Sequence, residues 1–515
     1  MQWLNQLSIK SKLILMLLTV SGLSILVTAY LGYRSGQSNL TERVFSQLTS
    51  LRTSKAYQIE SYFKTTQNHI QVLSENPAVI SAMQELSSAY SQLEGKALPP
   101  GYETTLADYY RNEFLPRLAK TQQGTPVLSS FLPETAAATY LQHQYIAANP
   151  NPVGKKDILD QAPDGTRYSQ IHARYHPIFR NIIKKFGYYD MFLINPQGTV
   201  VYTVYKETDF TSNLTTGPYN ESNLAKLVAQ VRRAKEKGYA KLIDFEAYAP
   251  SYGAPATFIA APIFDQSKFI GVLAVQLPVD EINNVMTGNQ NWEQDGLGKT
   301  GETYLVGKDY LMRSVSRFLV ETPDEYIKTL QSLGVDEATT QRIREYDTSI
   351  LEQKVQTEGA AAALSGQQGT QIIRDYRNIP VLSSYAPLKI PGLDWAVLSE
   401  IDLSEAYAPV YAFQRQLLVS ATLLLLLVTL LAMALAYFFV QPINQLIQSA
   451  RQIEKGDLDA TAKINSHDEF AELANSFNSM VRSLRAQTNL VEQKNQESEQ
   501  LGDFWEKGYR VVGST

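Results

Sequence analysis

The chain has 515 residues, 46 Lys and Arg against 51 Asp and Glu, a net charge of −5, no cysteine and 5 histidines. The lack of cysteine excludes disulfides, thiolate metal sites and cysteine nucleophiles. No dense basic stripe suggests a nucleic-acid partner, and the length leaves room for several domains.

Residues 1–12 read as a cytoplasmic N-terminus. The run Leu13 to Tyr33, LILMLLTVSGLSILVTAYLGY, carries no charge and is long enough to cross a bilayer, which takes about 20 apolar residues. It lacks an A-x-A-like cleavage site, so a retained anchor is expected rather than a signal peptide. A second uncharged run, Gln416 to Val440, holds consecutive leucines from Leu423 to Leu427. Lys10 and Lys12 favour an inside N-terminus. Both termini are then cytoplasmic, with a plasma membrane as the expected location, and residues 34–415 lie outside.

The outer segment opens with a helical pattern. Val44, Leu48, Leu51, Ile59, Tyr62, Ile70 and Leu73 share one face, and Pro77 closes the run. Strands are predicted at Tyr189 to Ile194 and Val200 to Tyr205, flanking the turn Asn195-Pro196-Gln197-Gly198. A helix is predicted over Glu221 to Glu236, then strands at Lys241 to Tyr248, Ala256 to Phe264 and Lys268 to Leu277. A second block repeats the plan. It has a short hairpin, Glu302 to Val306 with Leu311 to Ser314, and a polar helical insertion from Pro323 to Leu364. Strands at Thr370 to Tyr376, Pro380 to Pro387 and Asp394 to Ile401 complete it.

The stretch GLGKTGETYLVG, from Gly296 to Gly307, imitates both G-x-G-x-x-G and the end of a Walker A loop. Phosphate motifs need a strand before the turn and a helix after it. Here a polar run precedes and a strand follows, so a plain turn with glycines at positive φ is expected.

This arrangement resembles a double Cache sensor domain. FIGVLAVQLPVDEIN (Phe269 to Asn283) is similar to the last strand of the first module, GKTGETYLVG to the opening hairpin of the second, and GLDWAVLSEIDLSEAYAPV (Gly392 to Val410) to its last strand. The resemblance implies an α+β fold with two PAS-like antiparallel sheets. A membrane-distal module would occupy about 165–285 and a proximal one about 295–405, with a small ligand in the distal one. Amino-acid-binding members use an Arg with an aromatic pair for the carboxylate and two Asp for the amine. Those Asp positions fall at Gln276 and at Pro250 in Tyr248-Ala249-Pro250, and no Arg-Pro-Trp-Tyr occurs, so an α-amino-acid ligand is not carried over. The candidate ligand residues are Tyr175, Arg180, Tyr189, Asp190, Tyr248 and Gln276. The competing reading makes the tyrosines half-buried sheet residues and Arg180 a solvated helix residue. His172 and His176 share a helix face, but HARYH is not H-E-x-x-H and no third ligand is evident, so no metal is expected.

Residues 441–492 closely resemble a HAMP domain through Pro442, Gly456-Asp457-Leu458, Asp468-Glu469 and Phe477-Asn478-x-Met480. Ile443, Leu446, Ala450 and Ile453, then Phe470, Leu473, Phe477, Met480 and Leu484, form heptad seams, so a parallel four-helix coiled coil in a homodimer is expected. Pro442, Glu469, Phe477 and Met480 are the candidate relay residues. Residues 493–515 read as a short tail without an effector domain. No enzyme activity or cofactor is expected. The expected partners are a small-molecule ligand, the membrane, a second copy and a separate cytoplasmic effector. The alternative reading, prompted by NLVEQKNQESEQL, is the truncated or frameshifted sensory half of a membrane adenylate or guanylate cyclase.

Overall fold

The computed structural model describes residues 6–121 and 124–512. The expected terminal segments, 1–12 and 493–515, lie partly outside the described residues. The chain divides into two units, one being Asn39–Ala408 and the other the segments on either side of it.

The Asn39–Ala408 unit is α+β with two antiparallel sheets. In the first module, β1 (Asp190–Ile194), β2 (Val200–Thr203), β3 (Lys241–Tyr248), β4 (Ala254–Asp265) and β5 (Lys268–Leu277) align in the order β2-β1-β5-β4-β3. The β1–β2 turn forms as its sequence dictates. Asn195 Oδ1 accepts from the amides of Gln197 and Thr199, and Gly198 sits at φ +94.

Both faces of this sheet are covered, which explains why β1 and β2 read as unbroken apolar runs rather than alternating ones. One face sets Met191, Leu193, Leu273 and Val275 in a core with Ile59, Phe63 and Ile70 of the helix Ile9–Ser74, and with Phe179 of the helix Arg167–Phe186. The opposite face sets Phe192, Phe258 and Ala274 in a core with Leu224, Leu227 and Val228 of the helix Asn223–Ala234. Each such aliphatic or aromatic side chain contributes roughly 1.5–3 kcal/mol on burial. Gly271 marks a close approach of β5 to β1, because a Cβ there would lie 2.5 Å from the Ile194 carbonyl oxygen.

In the second module, β6 (Glu302–Gly307), β7 (Gly369–Arg374), β8 (Pro380–Pro387) and β9 (Trp395–Asp402) align as β6-β9-β8-β7. The hairpin partner expected at Leu311 to Ser314 is not a strand. Val306 bridges Met312 and Leu311 bridges Lys354 singly, while Tyr310 takes φ +64. The adjacent Arg313 explains the departure. Its buried guanidinium donates through Nε and Nη2 to Asp244 at 2.9 and 3.0 Å, which ties this loop to β3. The expected helical insertion is three helices, Pro323–Ser332, Glu337–Tyr346 and Glu358–Leu364. The first is followed by Gly334 at φ +84, and the second ends at Asp347 at φ +50.

The other unit holds an apolar run of the helix Ile9–Ser74 and the helix Ala408–Glu454. Their most apolar windows have mean hydropathy 2.2 and 2.8, enough by length and composition to cross a membrane. Pro442 lies inside the second helix without ending it. A connector follows, then the helix Glu469–Val512. Asn478 holds the connector: its side chain accepts from the Ala462 amide at 2.8 Å and donates to the Ala462 carbonyl at 2.9 Å.

A buried acidic cluster as candidate functional site

The β1–β5 pairing sets Asp190 directly opposite Gln276. Asp190 is fully buried at the start of β1, where its Oδ1 accepts from the amides of Met191, Val204 and Tyr205. This carboxylate therefore caps the turn that leaves β2. The same turn carries Lys206, Glu207 and Asp209. Tyr248, at the end of β3, donates to Asp209 Oδ2 at 2.6 Å. Tyr189 donates to Glu207 Oε1 at 2.7 Å and Ser251 donates to Glu207 Oε2 at 2.7 Å. Tyr189 also stacks on Tyr205 with ring centroids 4.9 Å apart.

Three buried oxygens of this cluster have no hydrogen-bond donor among the described residues: Asp190 Oδ2, Asp209 Oδ1 and Gln276 Oε1. Burial pushes the Asp190 carboxyl up, and the neighbouring Asp209 pushes it further. Burial likewise raises Asp209, against the hydrogen bond from Tyr248, the nearby backbone amides of Asp209 and Phe210, and the charge of Lys206; burial also raises Glu207, with Asp209 adding to it. Lys206 is buried, stands 4.4 Å from the Tyr202 ring centroid and donates to the Thr203 carbonyl. Burial lowers its ammonium, with Asp190 opposing. Acidic groups thus outnumber Lys206 in this cluster, and its three buried atoms without a partner are all acceptors. A group with several N–H donors and a positive charge answers both.

Of the candidate ligand residues, Tyr189, Asp190, Tyr248 and Gln276 come together here. Tyr175 and Arg180 are directed elsewhere. Tyr175 donates to Glu85 at 2.7 Å, and Arg180 donates to the Asp157 carbonyl and pairs with Asp160 at 2.8 Å. His172 and His176 are buried with their rings stacked at 4.3 Å. Both His176 nitrogens are engaged, by Tyr202 Oη and the Asp157 carbonyl, and His172 Nδ1 meets the Asp160 carbonyl. Burial, then Lys206, lowers His176 to about 2, so it is a neutral core histidine. Sequence reasoning missed Lys206, Glu207 and Asp209. Their signal was the charged run Lys206-Glu207-Thr208-Asp209 directly after an apolar strand.

Among the relay candidates, Pro442 is intrahelical, Glu469 opens the last helix and is exposed, and Phe477 is half-buried. Met480 is 59% exposed, as are its seam neighbours Leu473 at 54% and Leu484 at 46%, so this chain alone does not cover that face.

A family model described as Cache domain (dCache_1) matches residues 34–410, more than half of the chain. The chain belongs to the Cache domain family. A HAMP domain model matches residues 434–486 of this Cache protein. Cache domain, apolar helices and HAMP domain together give the architecture of a transmembrane sensor with a relay. The chain is 33% identical over 101 residues to the methyl-accepting chemotaxis protein PctB of Pseudomonas aeruginosa, covering 19% of this chain and 16% of that one. It is 25% identical over 236 residues to the methyl-accepting chemotaxis protein PscA of Pseudomonas syringae, covering 45% and 32%. The chain thus spans a third or less of the length of these relatives. The ligand-binding domain of the Campylobacter jejuni chemoreceptor Tlp3, in complex with 4-methylisoleucine, overlays with TM-score 0.34 and 10% identity, covering 72% of this chain and 96% of that one. The two chemotaxis proteins do not favour the cyclase alternative.

Proposed function

We propose that this Cache protein is a two-pass membrane receptor that senses a small cationic ligand outside the cell and relays the signal through its HAMP domain. Residues 34–415 would form the extracytoplasmic sensor, with both termini in the cytoplasm and the ligand in the first module. The carrying observation is the set of three donor-less buried oxygens on Asp190, Asp209 and Gln276. Leaving a buried acceptor unpaired costs about 1–3 kcal/mol, and a protonated amine supplies the missing donors. Asp190 and Asp209 also bring acidic charge to a family site whose usual Asp positions are here Gln276 and Pro250, which supports an amine after all.

The relay reading rests on the seam of Phe477, Leu473, Met480 and Leu484. Paired in parallel with a second copy, that face is buried in a four-helix bundle. Output through a separate cytoplasmic effector belongs to the same reading. A thermal-shift screen of the full chain in detergent tests ligand binding. A protonated amine at a hundred times its Kd should add about 2.7 kcal/mol of stability. Stabilisation by uncharged isosteres alone would contradict the cationic class.

A further inference from the structure

The phosphate-like turn GLGKTG does bind an anion, and that anion belongs to the chain itself. Glu405 Oε1 accepts from the Lys299 amide at 2.8 Å, and Oε2 accepts from the Thr300 amide at 2.8 Å and from Thr300 Oγ1 at 2.5 Å. The Lys299 side chain is exposed and takes no part in these bonds, so the motif works through its backbone. Gly298 sits at φ +60, and a Cβ there would stand 2.5 Å from Glu405 Oε1. Burial raises the Glu405 carboxyl, but the two amides and the Thr300 hydroxyl outweigh it and leave the group below its ordinary range.

The position of this contact gives it meaning. Glu405 belongs to the short helix Leu403–Ala406, one residue before the helix Ala408–Glu454 that carries the second apolar run. The turn is also held from two other elements. Gln47 of the helix Ile9–Ser74 donates to the Gly296 carbonyl. Arg317 Nη1 donates to the carbonyls of Gly298 and Gly301 at 2.9 and 2.6 Å. Beside it, Thr41 Oγ1 meets Tyr407 Oη at 2.8 Å. One turn therefore joins the helix that continues from the first apolar run to the residues that begin the second.

We propose that Glu405 is a positioning residue of the relay. Its carboxylate, seated on the Lys299 and Thr300 amides, fixes the start of the second membrane helix to the second module. Release of this carboxylate is the step by which a change in the module reaches the span. The inference rests on the relay reading above, but its first readout needs neither a ligand nor a dimer.

The experiment uses the full chain in lipid nanodiscs. Hydrogen exchange is read at the Lys299 and Thr300 amides, and disulfide formation between cysteines placed at Arg34 and Arg415 is followed in the otherwise cysteine-free chain. Glu405→Gln keeps the shape but loses the charge, and should speed exchange at both amides about tenfold or more, since bonds to a charged acceptor are the strong ones. Gly298→Ala should do the same, through the contact of its Cβ with Glu405 and through backbone strain at φ +60, so the shape-preserving Glu405→Gln is the deciding variant. Lys299→Ala should behave as the unmodified chain. Both latch variants should also change the disulfide rate. Unchanged exchange in Glu405→Gln overturns the latch. So does a Lys299→Ala variant that behaves like Glu405→Gln. Faster exchange with an unchanged disulfide rate overturns the relay role and leaves a failure distinct from that of ligand sensing.

Discussion

Asp190 and Gln276 face each other across β1 and β5, and each ends in a buried oxygen that no donor reaches. A fold that leaves such groups unmet is less stable than it need be, and binding sites are where such costs persist. Gln276→Leu should therefore leave the ligand-free protein as stable or raise its melting temperature, because it removes an unmet acceptor of similar size. The same variant should lose most of its stabilisation by ligand. Calorimetric melting with and without ligand checks both halves, and a strongly destabilised ligand-free variant would oppose the reading.

The bridge between modules gives a second expectation. Arg313 is 3% exposed, and Asp244 accepts two bonds from it and a third from Trp395 Nε1 at 2.9 Å. Asp244→Ala should cost about 2–3 kcal/mol, because a buried guanidinium is left with only Asp309 and the Leu311 carbonyl. Urea unfolding followed by Trp fluorescence measures it. A loss of less than about 0.5 kcal/mol, the scale of a neutral surface change, would show the bridge to be idle.

The second module buries two carboxyl groups opposite each other, Glu302 on β6 and Glu400 on β9. Burial raises Glu302 from 4.5 to about 7 and Glu400 from 4.5 to about 8. Tyr376 donates to the first, and Ser383 and Tyr304 to the second. A carboxyl whose folded pKa lies above its unfolded value stabilises the fold fully below the unfolded pKa and loses that contribution as pH rises through the folded one. Stability should therefore fall from about pH 5 to about pH 8, and Glu302→Gln with Glu400→Gln should flatten that slope. Melting temperatures across this range test it, and a rise with pH would contradict the assignment.

The seam makes its own claim. Phe477→Asp places a carboxylate on the face that Leu473, Met480 and Leu484 leave exposed. In a parallel bundle that charge costs several kcal/mol. Cross-linking between copies through Leu473→Cys or Leu484→Cys should be lost, while Ser479→Asp, on an exposed residue, should preserve it. Unchanged cross-linking in Phe477→Asp would refute the seam.

Much of this fold was legible in the sequence. The limits of β3, β5 and β8 match their expected spans: β5 is buried along almost all its length and reads as an apolar run, whereas β3, at the sheet edge, sets buried Leu242, Phe245 and Tyr248 among more exposed residues. Leu311 to Ser314 misled because its apolar residues serve isolated bridges, while Arg313 turns to Asp244. The site was half legible. Tyr189, Asp190, Tyr248 and Gln276 stand on strands or at their ends, where periodicity places them. Glu207 and Asp209 lie in a turn, where no period operates and only the tertiary fold brings the charges together. Tyr175 and Arg180 shared the right helix, but Glu85 and Asp157, distant in sequence, decide where they point.

The central claim is that a cationic ligand is held by Asp209 and its neighbours in the first module. Asp209→Asn removes the charge and leaves an oxygen to accept from Tyr248. The decisive measurement is isothermal titration of a stabilising amine into the full chain and into Asp209→Asn, at pH 8, where the carboxylates are more fully ionised. The account expects at least about a tenfold loss of affinity in the variant, the scale of one charge-assisted hydrogen bond. It also expects weaker binding to the unmodified chain as pH falls to 5 and the raised carboxyls take up protons. Equal affinity in the two proteins, or affinity that rises as pH falls, would contradict it.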